Sequence, residues 1–187
     1  MFYAKDRVML FIDGSNLYHL LKASSGRTNI DLEKFCHKLV GGNGKLIRVY
    51  YYNAIVSKKL EPERYRDQQN FYASVEAIPY FELRLGHLVY NGWPQSRPYE
   101  KGTDVMLATD MVAHAFRNNY DTAILVASDG DYVGAIQMVK DVGKNTEVVL
   151  IGEDDNASSM PLRKAADDII MADATFLQDC WQESSNV

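Results

Sequence analysis

Along this chain, short runs of apolar and β-branched residues alternate with stretches of helical composition, and no other feature restricts the fold as much. Arg7 to Ile12 (RVMLFI) is an apolar run of strand length that stops at Asp13-Gly14. Ser15 to Lys22 and Asp31 to Val40 read as helices, with Asp31 as N-cap. Leu46 to Ile55 is rich in tyrosine and β-branched residues and suits a strand. Pro62 to Ala77 is helical, with proline tolerated in the first turn. Tyr80 to Leu85 alternates as a strand does, and Asn91 to Gly102, with its prolines and glycines, reads as a loop. From Thr103 the period changes to 3.6, with Val105, Ala108, Val112, Ala115 and Phe116 on the stripe expected to face the core. Ala123 to Ala127 is another apolar strand, followed by Ser128-Asp129-Gly130-Asp131 and a helix to about Val142, stopped by Gly143. Thr146 to Ile151 and Asp168 to Met171 read as strands, Gly152 to Ser159 as a polar loop, and a last helix precedes a frayed tail. This order predicts an α/β fold with a mostly parallel sheet covered on both faces.

The 187 residues suit one domain, placed at 1–180 with a tail at 181–187, and 47% apolar content supports a substantial core. No run of apolar residues is long enough to span a membrane, and Met1 to Asp6 lacks a signal-peptide pattern. Cys36 and Cys180 are far apart in sequence and form no CxxC, so a cytoplasmic protein with reduced thiols is expected. The scattered histidines argue against zinc. A net charge of −5 argues against a broadly basic surface, an objection that weakens if several carboxylates serve as metal ligands.

In parallel sheets, ligands bind beyond the carboxyl ends of strands, where the strand order reverses. Asp13 ends the first strand, Asp129 and Asp131 follow the Ala123 to Ala127 run, and Asp104 opens the long amphipathic helix. Carboxylates gathered on one rim repel one another, and a small divalent cation with hard oxygen ligands, Mg²⁺ or Mn²⁺, relieves that repulsion. Such a site activates water for phosphodiester hydrolysis. Each aspartate has a plainer role as well: Asp13 and Asp104 as helix-start residues, Asp129 and Asp131 as turn formers. Asn16 and Ser128, short polar residues beside the acids, either position water or phosphate or cap helices. Arg97 and Lys101 share the proline-glycine loop with Trp93 and Tyr99, a combination suited to phosphate contact and base stacking. Asp110 points away from Asp104 around the helix and reads as structural. In Tyr50-Tyr51-Tyr52, alternate rings must face opposite sides of the sheet.

FIDGSNLY at Phe11 to Tyr18, EKGTDVMLATDMV at Glu100 to Val112, ILVASDGDYVGAIQMVKDVGK at Ile124 to Lys144 and LRKAADDII at Leu162 to Ile170 together resemble the NYN domain family of PIN-like nucleases, which includes LabA-like bacterial proteins. The resemblance implies a three-layer α/β/α sandwich and a metal-dependent ribonuclease site. Carried onto this chain, its acidic positions are Asp13, Asp104, Asp129 and Asp131, with Asn16 in the first motif. RNA is the implied partner, and protein partners or self-association fit as well. The competing expectation is a catalytically silent module that binds RNA or protein, since a fold does not secure a function. Asp13-Gly14-Ser15 also resembles the DxSxS motif of von Willebrand A domains, but Leu17 stands where the second serine is required.

Overall fold

The structure is a computed structural model and describes residues 6–42, 44–152 and 159–183. In chain order the strands are β1 (Asp6–Asp13), β2 (Gly44–Ile55), β3 (Phe81–Val89), β4 (Tyr99–Lys101), β5 (Thr122–Val126), β6 (Asn145–Ile151) and β7 (Asp168–Ala172). The helices are α1 (Gly14–Ser25), α2 (Leu32–Val40), α3 (Pro62–Glu76), α4 (Thr103–Phe116), α5 (Val133–Asp141), α6 (Met160–Ala165) and α7 (Ala174–Leu177). All strands join one sheet in the order β4-β3-β2-β1-β5-β6-β7, parallel except for the antiparallel β3–β4 pair.

Period-two alternation divides the central strands between two cores. Val8, Leu10 and Ile12 of β1, with Ile124 and Val126 of β5, pack beneath Leu17 and Leu21 of α1, Phe35 and Leu39 of α2 and Val75 of α3. Met9 and Phe11, with Ala123 and Leu125, face Leu107 and Met111 of α4, Ile136 and Val139 of α5 and Leu162 of α6. Helices therefore cover both faces, giving three layers. The tyrosine triplet obeys the same alternation, with Tyr51 in the first core and Tyr50 and Tyr52 in the second. Asp31 caps α2 as expected, accepting from the Lys34 N–H at 3.0 Å.

Several expectations are corrected. The segment read as a loop contains β4, because Tyr99, Glu100 and Lys101 pair with Val89, Leu88 and His87. The buried stripe of α4 is Thr103, Leu107, Met111 and Ala115, while Val105 and Phe116 are 64% and 63% exposed. Ala108, Val112 and Ala115 of the expected stripe do pack on the core, but apolar residues occur nearly all around this helix, so periodicity alone set the stripe's edges wrongly at Val105 and Phe116. Helix α6 occupies a stretch given no element from sequence, and α7 is a single turn. Past it the chain is tied down: Trp181 bridges to Ile30, and the Gln182 N–H donates to the Asn29 carbonyl at 3.0 Å. Most of the expected polar loop, 153–158, lies outside the described residues, as do 184–187 of the expected tail.

Candidate functional site

Strands β1 and β5 are neighbours, but the chain leaves β1 toward β2 on one side and β5 toward β6 on the other. A crevice opens between their carboxyl ends at such a switch point. Asp13, the last residue of β1, points one oxygen at the start of α1, where it accepts from the Asn16 N–H at 3.0 Å as N-cap. Its other carboxylate oxygen accepts from the Tyr132 hydroxyl at 3.0 Å. Past β5, Asp129 caps a short 3₁₀ turn at Gly130–Tyr132 by accepting from the Asp131 N–H at 3.0 Å. Asn16 Oδ1 ties the strand ends together, accepting from the Ser128 N–H at 3.1 Å and the Ser128 hydroxyl at 3.2 Å. A third element arrives through Gly102, whose φ of 80° turns the chain from β4 into α4 and favours glycine. Glu100 and Asp104 flank that turn.

These elements enclose an open cleft of about 350 Å³ lined by four carboxylates, Asp13, Glu100, Asp104 and Asp129, together with Asn16, His19, Thr103 and Tyr132. Burial raises the Asp13 carboxyl above the ordinary aspartate range; the Asn16 and Tyr132 hydrogen bonds oppose this, and the charges of Glu100 and Asp129 add to it. The Tyr132 hydroxyl is raised first by burial and then by Asp13, with Asp104 and Asp129 contributing. Thr103 Oγ1 is buried at the cleft without a hydrogen-bond partner, the sole such side-chain atom among the described residues. Its neighbour is Gly86, where any Cβ would lie 2.7 Å from that oxygen.

The structure thus brings Asp13, Asp104, Asp129 and Asn16 to one cleft and places Ser128 behind Asn16. It does not bring Asp131, Arg97 or Lys101 to the cleft lining. Asp131 is exposed within the 3₁₀ turn, and Lys101 of β4 pairs with His87 of β3. Sequence reasoning missed Glu100, because it lay in the segment read as loop, and His19 and Tyr132, whose approach depends on how α1 and the 3₁₀ turn sit on the sheet. Asp110 is structural, accepting from the Tyr52 hydroxyl at 2.9 Å and from Arg84 Nε at 3.3 Å. Among the described residues, no three His, Cys, Asp or Glu side chains are drawn together into a group that could hold a metal ion by themselves.

Comparison with known proteins agrees with this architecture. The chain belongs to the NYN domain family, whose model matches residues 7–173. This is a PIN-like, nuclease-type family whose domains are nucleic-acid-related and whose nucleases generally use divalent metals. A crystal structure of a protein of unknown function from Vibrio parahaemolyticus is similar over 95% of this chain and 99% of that one, at a TM-score of 0.71 and 18% identity. At that identity the likeness speaks for the fold alone. No curated protein matches the chain. Among the described residues, no helix is long and apolar enough to cross a membrane.

Proposed function

We propose that this protein is a ribonuclease that hydrolyses RNA phosphodiester bonds at the switch-point cleft with the help of Mg²⁺ or Mn²⁺. One observation carries the reading: carboxylates from separate parts of the chain, Asp13, Glu100, Asp104 and Asp129, line a single cleft. The donors fit a hard divalent cation in kind, being carboxylate oxygens. Because no three of them form a ready group among the described residues, the cation we propose is held directly by one or two carboxylates, with water completing its shell. Those one or two holders would come from Asp13, Asp104 and Asp129, with Glu100 beside them and Asp131 acting only through the turn it shares with Asp129. When bound, such a cation supplies an activated water and neutralises charge developing on a phosphate.

The chain's own groups do the rest. Tyr132 and the Asn16 N–H keep the Asp13 carboxylate aimed and favour its charged form. Asn16, its carbonyl occupied by Ser128, retains amide donors for a phosphate oxygen. Arg97 and Lys101 stand off the cleft and would attract the RNA backbone in a uniform, salt-screened way.

The test is a rate-against-concentration series with labelled RNA, in Mg²⁺ or Mn²⁺ and in chelator. Asp13→Asn should abolish cleavage, whereas Arg97→Ala and Lys101→Ala should raise KM more than they lower kcat. Cutting by the Asp13→Asn protein at the original rate, or in chelator, would sink the mechanism. A second reading, a silent RNA-binding or protein-binding module, is favoured by the lack, among the described residues, of a ready-made three-ligand group. RNA binding without cleavage of any RNA would select it.

A further inference from the structure

Beside the acidic cleft lies a larger cavity of about 490 Å³, roofed by α1 and α3 and floored by the carboxyl-terminal part of β2. Ser15, His19 and Glu100 line both spaces, so the two adjoin. Its lining includes the rings of Tyr18, Tyr51 and Phe71. Tyr18 on α1 and Phe71 on α3 are 46% and 39% exposed, and the buried Tyr51 meets Phe71 edge-on, with ring centroids 5.7 Å apart. Tyr51 occupies this position because residue 14 is glycine: a Cβ there would come within 2.6 Å of the Tyr51 hydroxyl and closer still to its ring. The polar lining is mixed, with Arg64, Asn53 and Gln68 beside the acids Asp67 and Glu100. Outside the lining, Lys22 lies over the Tyr18 ring at 5.8 Å.

We propose that this cavity is a nucleobase subsite, which receives the base next to the phosphodiester held in the acidic cleft. The proposal rests on the nuclease-type reading of that cleft and deepens it. The volume falls within the range of small-molecule sites. Two half-exposed aromatic rings facing a common space offer stacking surfaces indifferent to base identity. Because the spaces adjoin at Ser15, His19 and Glu100, one ligand spanning them would place a phosphate in one and a flat ring in the other. A base inside a duplex cannot enter such a pocket without leaving its stack, so the substrate class is RNA with an unpaired base at the cleavage position.

The experiment measures fluorescence anisotropy with the full chain in chelator, where nothing is cut. The probe is a labelled single-stranded RNA tetranucleotide, compared with the same backbone carrying abasic residues. The intact tetranucleotide should bind on the order of tenfold more tightly, the loss expected for one aromatic–base stack. Tyr18→Ala and Phe71→Leu should each erase most of that preference while thermal melting shows them folded. Equal affinity for the intact and abasic probes, or a preference unchanged in both variants, overturns the subsite. Cleavage in Mg²⁺ or Mn²⁺ is scored separately. Base preference without cleavage leaves the subsite standing and removes the ribonuclease reading, whereas cleavage of intact and abasic RNA at one rate does the reverse.

Discussion

Two aspartates illustrate how one side-chain type serves opposite ends of the sheet. Asp121, just before β5, accepts from Arg7 Nη2 at 2.7 Å and from the Arg7 backbone N–H at 2.9 Å, with Lys144 at 3.7 Å. The Arg7 hydrogen bond, before all else, lowers its carboxyl from 3.8 to about 2. A lowered carboxyl contributes stability that is present above its unfolded pKa and lost as pH falls through the folded one. Melting of the original protein and Asp121→Asn should therefore differ above about pH 4 and converge toward pH 2, by an amount held small by solvent exposure. Asp13 behaves in the opposite sense. Its raised carboxyl favours folding below the unfolded pKa, and that contribution disappears as pH rises through the folded value. At neutral pH, without metal, Asp13→Asn should melt no lower than the original, since asparagine still caps α1. Asp13→Ala should cost about 1 kcal/mol for the lost cap. A large loss for Asp13→Asn in chelator would mean that the buried charge is better compensated than its partners indicate.

At the scale of elements, the strands were legible because β1, β5 and β6 are apolar runs that only burial on both faces explains. The cleft's main acids were legible for the same reason, since a charged residue directly after such a run has to emerge at a strand end. Glu100 was not, because three residues bracketed by Pro98 and Gly102 carry no strand signal and become β4 only by pairing with β3. The face of α4 was only partly legible, with Val105 and Phe116 misplaced, because Val105, Met106, Leu107 and Ala108 offer apolar side chains in every direction, and the sheet decides among them. Leu107→Ala should cost about 2–5 kcal/mol, whereas Val105→Ser should stay within about 0.5 kcal/mol, as read by chemical denaturation. The reverse order would restore the stripe expected from sequence. Gly14→Ala should destabilise by about 1–3 kcal/mol through collision with Tyr51, and combining it with Tyr51→Leu should recover part of that loss.

Across the whole molecule, the acidic crevice is a standing electrostatic cost that a cation would relieve. Mg²⁺ or Mn²⁺ at a hundredfold excess over Kd should stabilise the original protein by about 2.7 kcal/mol, and should stabilise Asp104→Asn and Asp129→Asn less. Identical metal-dependent shifts in Tm for all three proteins would remove these residues from the ligand set.

The insertion of β5 beside β1 has a consequence for the chain during synthesis. Until residues 122–126 emerge, β1 is the naked border of a sheet made from β2, β3 and β4, with five of its eight residues buried in the finished protein. A nascent or truncated chain ending before that point presents a sticky hydrophobic margin, and a flat unpaired edge of that kind recruits other chains. The same chain also lacks Asp129, Ser128 and Tyr132, and with them the far wall of the crevice. The complete site therefore arrives with the docking of one five-residue strand, whose own outer edge is closed only when β6 pairs with it.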